Sequence, residues 1–153
     1  MRPPPLTDSL RSAYSNARYR ILTDPPVALR VGLTSTELSH LLRRHGAEGG
    51  VLLTACNPFS RPLTHAENER RTATLISWLE GRGLNWLPAE GGDPDEEWPA
   101  ERSVFVFDAG AKVTDEMLRE FEQHAVVVVS QDAIPRLAFH PAHETCIPSC
   151  SDR

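Results

Sequence analysis

Val51-Leu52-Leu53-Thr54-Ala55 is a short, almost wholly apolar run, and Cys56-Asn57-Pro58-Phe59-Ser60-Arg61-Pro62 follows it directly. An apolar run of this length beside turn-forming residues is typical of a buried central strand. The two prolines of the second stretch interrupt regular structure, so we expect a shaped loop there. Thr64 and Glu67 have the spacing of a capping box, which predicts that a helix begins after Thr64. This region therefore predicts a strand, a loop and a helix in succession.

Strands and helices alternate on either side of this unit. Further strands are predicted at residues 19–22, 27–31, 84–88, 104–107, 125–129 and 136–139, and further helices through residue 17, from residue 34 or 35 to 46, and at 114–124. The alternation predicts an α/β fold, a single layered domain with a central mixed β-sheet flanked by helices. We expect residues 1–17 to form an N-terminal arm and short helix, 18–139 a single α/β domain, and 140–153 a C-terminal tail.

The composition is that of one ordinary globular domain, with 153 residues of which 40% are hydrophobic and 24% charged. No apolar run approaches the roughly 18–20 residues that span a bilayer. The stretch 1–6 contains three prolines and lacks the apolar core of a signal peptide. Three cysteines are too few for a disulfide framework. These features predict a cytoplasmic protein without a membrane partner.

The charge distribution is uneven and acidic. The formal net charge is −5, and the acidic residues are densest between Glu90 and Glu101. We expect residues 89–100 to form a long loop. A nucleic-acid interface requires clustered positive charge. The sequence therefore argues against a nucleic-acid partner.

The loop after the 51–55 strand carries the most informative polar residues. Ligands of open α/β sheets collect at the carboxyl ends of strands, where Asn57 and Ser60 are expected to lie. Asn68 and Arg71 are three residues apart on the following helix and so share one of its faces. Together the four side chains could hold a phosphate, a carboxylate or a polar base edge. In the alternative interpretation, Asn57 and Ser60 only satisfy the backbone of their own loop.

Glu101 is the candidate acid or base. It precedes a predicted buried strand and follows Trp98-Pro99, so burial near the indole could raise the pKa of its carboxyl group. In the alternative interpretation, Glu101 pairs with an arginine, for which Arg71 and Arg102 are available, or with a loop amide. The sequence contains no Walker loop, Rossmann glycine fingerprint or His-Glu-x-x-His motif, and we predict no cofactor.

The C-terminal tail contains four side chains of the kinds that bind zinc, namely His140, His143, Cys146 and Cys150. Their spacing, His-x₂-His-x₂-Cys-x₃-Cys, fits no common zinc-finger pattern. We therefore predict no metal site, and a disordered tail or an oxidised Cys146–Cys150 pair are the alternatives.

The run Thr54-Ala55-Cys56-Asn57-Pro58-Phe59-Ser60, followed by Glu67-Asn68 and Arg71, resembles a bacterial family known as domain of unknown function 3293. That family usually has an aromatic residue where this chain has Cys56. Further matches are Tyr19, Gly91-Gly92-Asp93, Trp98-Pro99-x-Glu101-x-Ser103 and Gln123-x-Ala125, so the resemblance covers about residues 18–139. It implies no activity, but it implies a shared pocket, because the matching positions are mostly polar and lie in predicted loops.

Two functions remain open from the sequence. In the first, residues 54–71 bind a small polar or anionic, nucleotide-like ligand. Asn57 and Ser60 would then form hydrogen bonds with the ligand, Arg71 would neutralise an anionic group, and Glu101 would orient Arg71 or act as a base. In the second, the chain is a protein-interaction or regulatory module without catalytic activity, and the acidic 90–101 segment contacts a basic protein partner. The sequence predicts neither an enzymatic reaction nor an oligomeric state.

Overall fold

The computed structural model describes residues 2–95 and 99–144. In chain order its elements are α1 (Asp8–Asn16), β1 (Arg18–Ile21), β2 (Val27–Leu29), α2 (Thr36–Arg44), β3 (Gly50–Leu53), a 3₁₀ turn (Pro58–Ser60), α3 (His65–Gly81), β4 (Trp86–Gly92), β5 (Glu101–Phe107), α4 (Gly110–Glu120), β6 (Ala125–Val129), β7 (Arg136–Phe139) and α5 (Pro141–Glu144). The α/β class is confirmed. None of the described helices is long and apolar enough to cross a membrane.

The seven strands form one sheet in the order β2-β1-β4-β5-β3-β6-β7, and all six described pairings are antiparallel. The predicted mixed sheet is therefore wrong. The helical crossovers from β3 to β4 and from β5 to β6 do connect parallel strands, as a strand–helix–strand pattern usually does. These strands are not neighbours, however, because β5 lies between β3 and β4, and β3 lies between β5 and β6.

Alternating side chains of the central strands build two hydrophobic cores. Leu52, Phe105 and Val127 belong to one core together with the buried leucines of α2. The neighbouring residues of the same strands belong to the other core, with apolar residues of α3 and α4. Because successive side chains of a strand point to opposite faces, the helices cover both faces of the sheet.

Several element boundaries differ from the predicted ones, and two of the differences change the surroundings of the central strands. Strand β4 continues to Gly92, so the first part of the predicted acidic loop is a strand, in which Glu90 forms an ion pair with Arg20 of β1. Helix α4 begins at Gly110 rather than at residue 114, after Asp108 in a left-handed conformation (φ 51°). The Asp108 carboxylate accepts the backbone N–H groups of Glu48 and Gly49 at 2.9 and 3.1 Å, and this contact fixes the turn.

Candidate functional site

A cavity of about 590 Å³ lies between α1 and the sheet, at the edge where β3 ends and β5 begins. Its floor is apolar and includes Leu52, Val127 and Leu137 from three strands. Polar side chains from α1 and from the loops at this edge form the rest of the wall, among them Tyr14, Asn57, Ser60, Glu101 and Gln123. A volume of this size, with an apolar floor and a few polar groups, is typical of small-molecule sites.

The loop after β3 reaches the cavity in a strained conformation. Asn57, Phe59 and Ser60 have φ values of 48°, 49° and 63°, in the left-handed region that non-glycine residues rarely adopt. The Phe59 N–H donates to the carbonyl of Glu122 at 2.6 Å, which fixes the buried ring of Phe59. Strain of this kind persists only where the surroundings enforce it, and it is most often found at functional sites.

Asn57 holds this loop through both ends of its side-chain amide. Its Oδ1 accepts hydrogen bonds from the Leu63 N–H at 2.9 Å and from Asn68 Nδ2 at 3.0 Å. Its Nδ2 donates to Glu101 Oε2 at 2.7 Å, and its backbone N–H donates to Asn68 Oδ1 at 2.9 Å. Asparagine tolerates the left-handed conformation better than most residues, so one residue supplies both the turn and the contacts.

Glu101 is the first residue of β5, and its half-buried carboxyl group contacts the cavity. Burial raises the pKa of this carboxyl group, while the hydrogen bond from Asn57 lowers it, and the net shift is upward. Neither predicted arginine pairs with it. Arg102 pairs with Glu69 at 2.5 Å and Arg71 with Glu122 at 3.7 Å, so within residues 2–95 and 99–144 Glu101 has no cationic partner.

Two tyrosines connect α1 to this edge of the sheet. The hydroxyls of Tyr14 and Ser60 are 2.9 Å apart, and the Tyr19 hydroxyl donates to the Tyr14 carbonyl at 2.8 Å. Burial raises the pKa of both tyrosine hydroxyls, and the negative charge of Glu101 adds to the rise. The hydrogen bond with Ser60 offsets only part of the rise for Tyr14. Both side chains are therefore neutral hydroxyls near pH 7.

The structure brings together three of the five predicted site residues. Asn57, Ser60 and Glu101 line the cavity, whereas Asn68 and Arg71 do not. The Asn68 side chain lies behind the loop, where it is hydrogen-bonded to Asn57. Arg71 donates to the carbonyls of Ala55 and Phe121 at 2.5 and 2.7 Å, so its guanidinium group joins the β3 loop to the end of α4.

The start of α3 is closed by its own residues. Thr64 Oγ1 accepts the Glu67 N–H at 3.1 Å, and Glu67 Oε1 accepts the Thr64 N–H at 2.9 Å. This is the predicted capping box. It satisfies N–H groups of the first turn and places a carboxylate at the positive end of the helix, which disfavours an anionic ligand there.

Tyr14 and the end of α1 are wall residues that the sequence did not indicate. Asn16 and Ala17 line the cavity together with Tyr14, and no local pattern marks them as site residues. Gln123 was indicated only as part of the resemblance. It is buried, and its Nε2 donates to the carbonyls of Cys56 and Phe121 at 3.1 and 3.0 Å.

Three histidines pack together beside this region. His124 Nδ1 lies 2.9 Å from His143 Nε2, and His140 Nδ1 accepts the Ala142 N–H at 3.1 Å. Burial lowers the pKa of all three imidazoles, which favours their neutral forms. In the described part of the chain no three histidine, cysteine or acidic side chains form a group that could hold a metal ion. Cys146 and Cys150 lie outside the described residues.

We expect the purified protein to contain well under about one equivalent of zinc, measured by elemental analysis. The reasons are that the spacing of the two histidines and two cysteines of the tail fits no common zinc-finger pattern, and that the described residues contain no group of three ligands. A content near one equivalent, lost on the double change of Cys146 and Cys150 to serine, would show that the tail does bind the metal.

The fold and the cavity define an α/β domain that presents a small-molecule-sized pocket at one edge of an antiparallel sheet. The chain resembles the family described as "Protein of unknown function (DUF3293)", whose model matches residues 53–126. The resemblance inferred from the sequence motifs is thereby confirmed. No curated protein and no solved structure matches the chain. The matched region extends from the end of β3 to the start of β6, and it includes Asn57, Ser60, Glu101 and Gln123 of the cavity wall.

Glu101→Gln should stabilise the folded chain at pH 7. The raised pKa means that the folded state holds the Glu101 proton more tightly than the unfolded chain does. Ionisation of Glu101 therefore lowers stability as the pH rises from the ordinary value of about 4.3 through the folded value. Glutamine cannot ionise and can still accept the Asn57 hydrogen bond. Thermal unfolding should show a higher melting temperature for the variant at pH 7 and no gain below about pH 4. A lower melting temperature at pH 7 would contradict this.

Proposed function

We propose that this chain binds a small polar molecule in the cavity between α1 and the sheet. The observation that carries the proposal is the position of the residues on which the family resemblance rests. Though scattered along the chain, many of them line this one cavity, namely Tyr19, Asn57, Ser60, Gly91, Glu101, Ser103, Gln123 and Ala125. A role in folding alone would not require distant polar positions to share a cavity wall.

The apolar floor of the cavity and its polar wall residues have different roles in ligand binding. The floor of Leu52, Val127 and Leu137 removes an apolar body from water, which supplies most of the binding free energy. Asn57, Ser60 and Glu101 orient the polar end of the ligand. The strained loop and its hydrogen bonds hold these groups in place before the ligand arrives, so little ordering is needed on binding.

A phosphate-bearing or otherwise anionic ligand is not supported. The cavity lining within the described residues contains no lysine, arginine or histidine, and it includes Glu101 and Asp93. Arg71, which we considered for the anionic group, is engaged with two carbonyls and with Glu122. We therefore propose a polar ligand at the loop after β3 that carries no negative charge.

A protein-interaction module receives less support. Among the described residues, only Leu22 and Leu33 are large exposed hydrophobic side chains, and scattered apolar residues of this kind are ordinary on protein surfaces. Glu90, at the start of the acidic segment, is paired with Arg20 within the sheet. No contiguous docking surface is therefore apparent in these residues.

The proposal is tested with 2-phenylethanol, which combines an apolar ring with a hydroxyl group, by saturation-transfer NMR. The Ala125→Phe variant places a ring in the cavity, because Ala125 lies on the sheet face that carries Val127. Ala28→Phe adds the same bulk at an exposed position of β2 and is the matched control. We expect saturation transfer with the wild type and with Ala28→Phe, and loss of it with Ala125→Phe. No transfer to the wild type, or equal transfer to all three proteins, would refute the proposal.

A further inference from the structure

We infer that the ligand of this cavity carries a protonated amine, an inference that rests on the proposed binding function. The first observation is the charge of the lining. Glu101 and Asp93 are its only charged side chains among the described residues, and both are acidic. Glu101 has no cationic partner among the described residues, so its carboxylate favours a cation over an anion at this wall.

The second observation is that four hydrogen-bond donors of the wall beside Glu101 are already engaged. Thr54 Oγ1 donates to the Arg102 carbonyl at 2.7 Å, and Ser103 Oγ donates to the Glu101 carbonyl at 3.2 Å. The Gln123 Nε2 makes its two contacts with backbone carbonyls, and the Tyr19 hydroxyl donates to the Tyr14 carbonyl. A ligand that offers only acceptors cannot use these four donors, and further side-chain donors of the lining, Ser9, Ser12 and Asn16, belong to α1.

The third observation is that acceptors remain open. Asn57 fixes the carboxyl group of Glu101 by donating to Oε2, while Oε1 accepts no hydrogen bond within the described residues. The Oε1 of Gln123 is likewise without a hydrogen-bonding partner in that part of the chain. A primary ammonium group has three donors and a positive charge, so it complements these acceptors better than a hydroxyl group does.

The C-terminal end of α1 also favours a cationic ligand. Asn16 and Ala17, the last helical residue and its C-cap, line the cavity. The C-terminal end of a helix carries partial negative charge from its free carbonyl groups and favours cations. The last turn of α1 itself contains no basic residue, and the nearest one along the chain is Arg18, directly after the C-cap.

Three probes that share a phenyl ring and a two-carbon linker separate the charge of the ligand from its shape. Phenethylamine is cationic, 2-phenylethanol is neutral and 3-phenylpropanoate is anionic. Dissociation constants are measured by calorimetry at physiological salt, where the Debye length of about 8 Å limits long-range attraction. We expect phenethylamine to bind the wild type at least about tenfold more tightly than 2-phenylethanol, and 3-phenylpropanoate to bind most weakly.

Glu101→Gln should reduce the affinity for phenethylamine to that for 2-phenylethanol. Glu80→Gln makes the same change in net charge at an exposed position of α3, away from the cavity, and should leave the preference intact. Equal binding of amine and alcohol to the wild type, tightest binding of the carboxylate, or an amine preference that survives Glu101→Gln would overturn the inference. Binding of 2-phenylethanol without an amine preference would leave the proposed function standing. Binding of none of the three probes would overturn both.

Discussion

Asn57→Ala should lower the free energy of unfolding by about 3 kcal/mol, the largest effect that we expect in the loop after β3. Three side-chain hydrogen bonds are lost, and the Leu63 N–H and the Glu101 carboxyl group lose their partner. Alanine also adopts the left-handed conformation at position 57 at a cost of about 1 kcal/mol. Chemical denaturation of the wild type and the variant measures the difference.

Asn57→Gly is the control that separates the backbone from the side chain. Glycine adopts the left-handed conformation without strain, so this variant should be about 1 kcal/mol more stable than Asn57→Ala and should still fall well below the wild type. If Asn57→Ala loses less than about 1 kcal/mol, the hydrogen bonds of Asn57 do not hold the loop.

Arg71→Ala should lower the free energy of unfolding by about 2 kcal/mol. Its guanidinium group makes two charge-assisted hydrogen bonds to the carbonyls of Ala55 and Phe121, and such bonds contribute about 1.5–3 kcal/mol when buried. We take a value near the lower end for the pair, because the side chain is 25% exposed and water can replace part of the loss. The ion pair with Glu122, at 3.7 Å, adds little.

Two further variants test this structural role of Arg71. Arg70→Ala, at the exposed neighbouring position, should change stability by less than about 0.5 kcal/mol. Arg71→Lys should recover only part of the loss, because one ammonium group lacks the planar fork that reaches both carbonyls. If Arg71→Ala instead unfolds like the wild type and no longer binds phenethylamine, Arg71 belongs to the binding site and the account given above is wrong.

Local patterns in the sequence predicted the elements well and the sheet less well. The strand, loop and helix from Val51 onward are confirmed by β3, the 3₁₀ turn and α3, because apolar runs, prolines and capping residues act within a few positions. Whether neighbouring strands are parallel or antiparallel depends on which strand lies between the two strands that a helical crossover connects. That choice depends on pairing between distant segments, such as β3 with β5 and β6.

The same difference between local patterns and long-range packing applies to the residues of the candidate site. Asn68 and Arg71 share a face of α3, as their spacing predicts, but that face packs against the β3 loop and the end of α4. Glu101 is partly buried, and Asn57, not an arginine, is its partner. Tyr14 reaches the cavity only because α1 docks against this edge of the sheet, and no short-range pattern reports that docking.

The most direct test of the central claim is a titration of the ¹⁵N-labelled protein with phenethylamine, followed through backbone amide chemical shifts. If the ligand binds in the cavity, the largest chemical-shift changes fall on the cavity wall, at Tyr14, Asn57, Glu101 and Val127. The amide chemical shifts of Leu79 and Met117, in the core on the opposite face of the sheet, should change little. Changes centred on α3 and α4, or no saturable change at all, would contradict the claim that this cavity is the binding site.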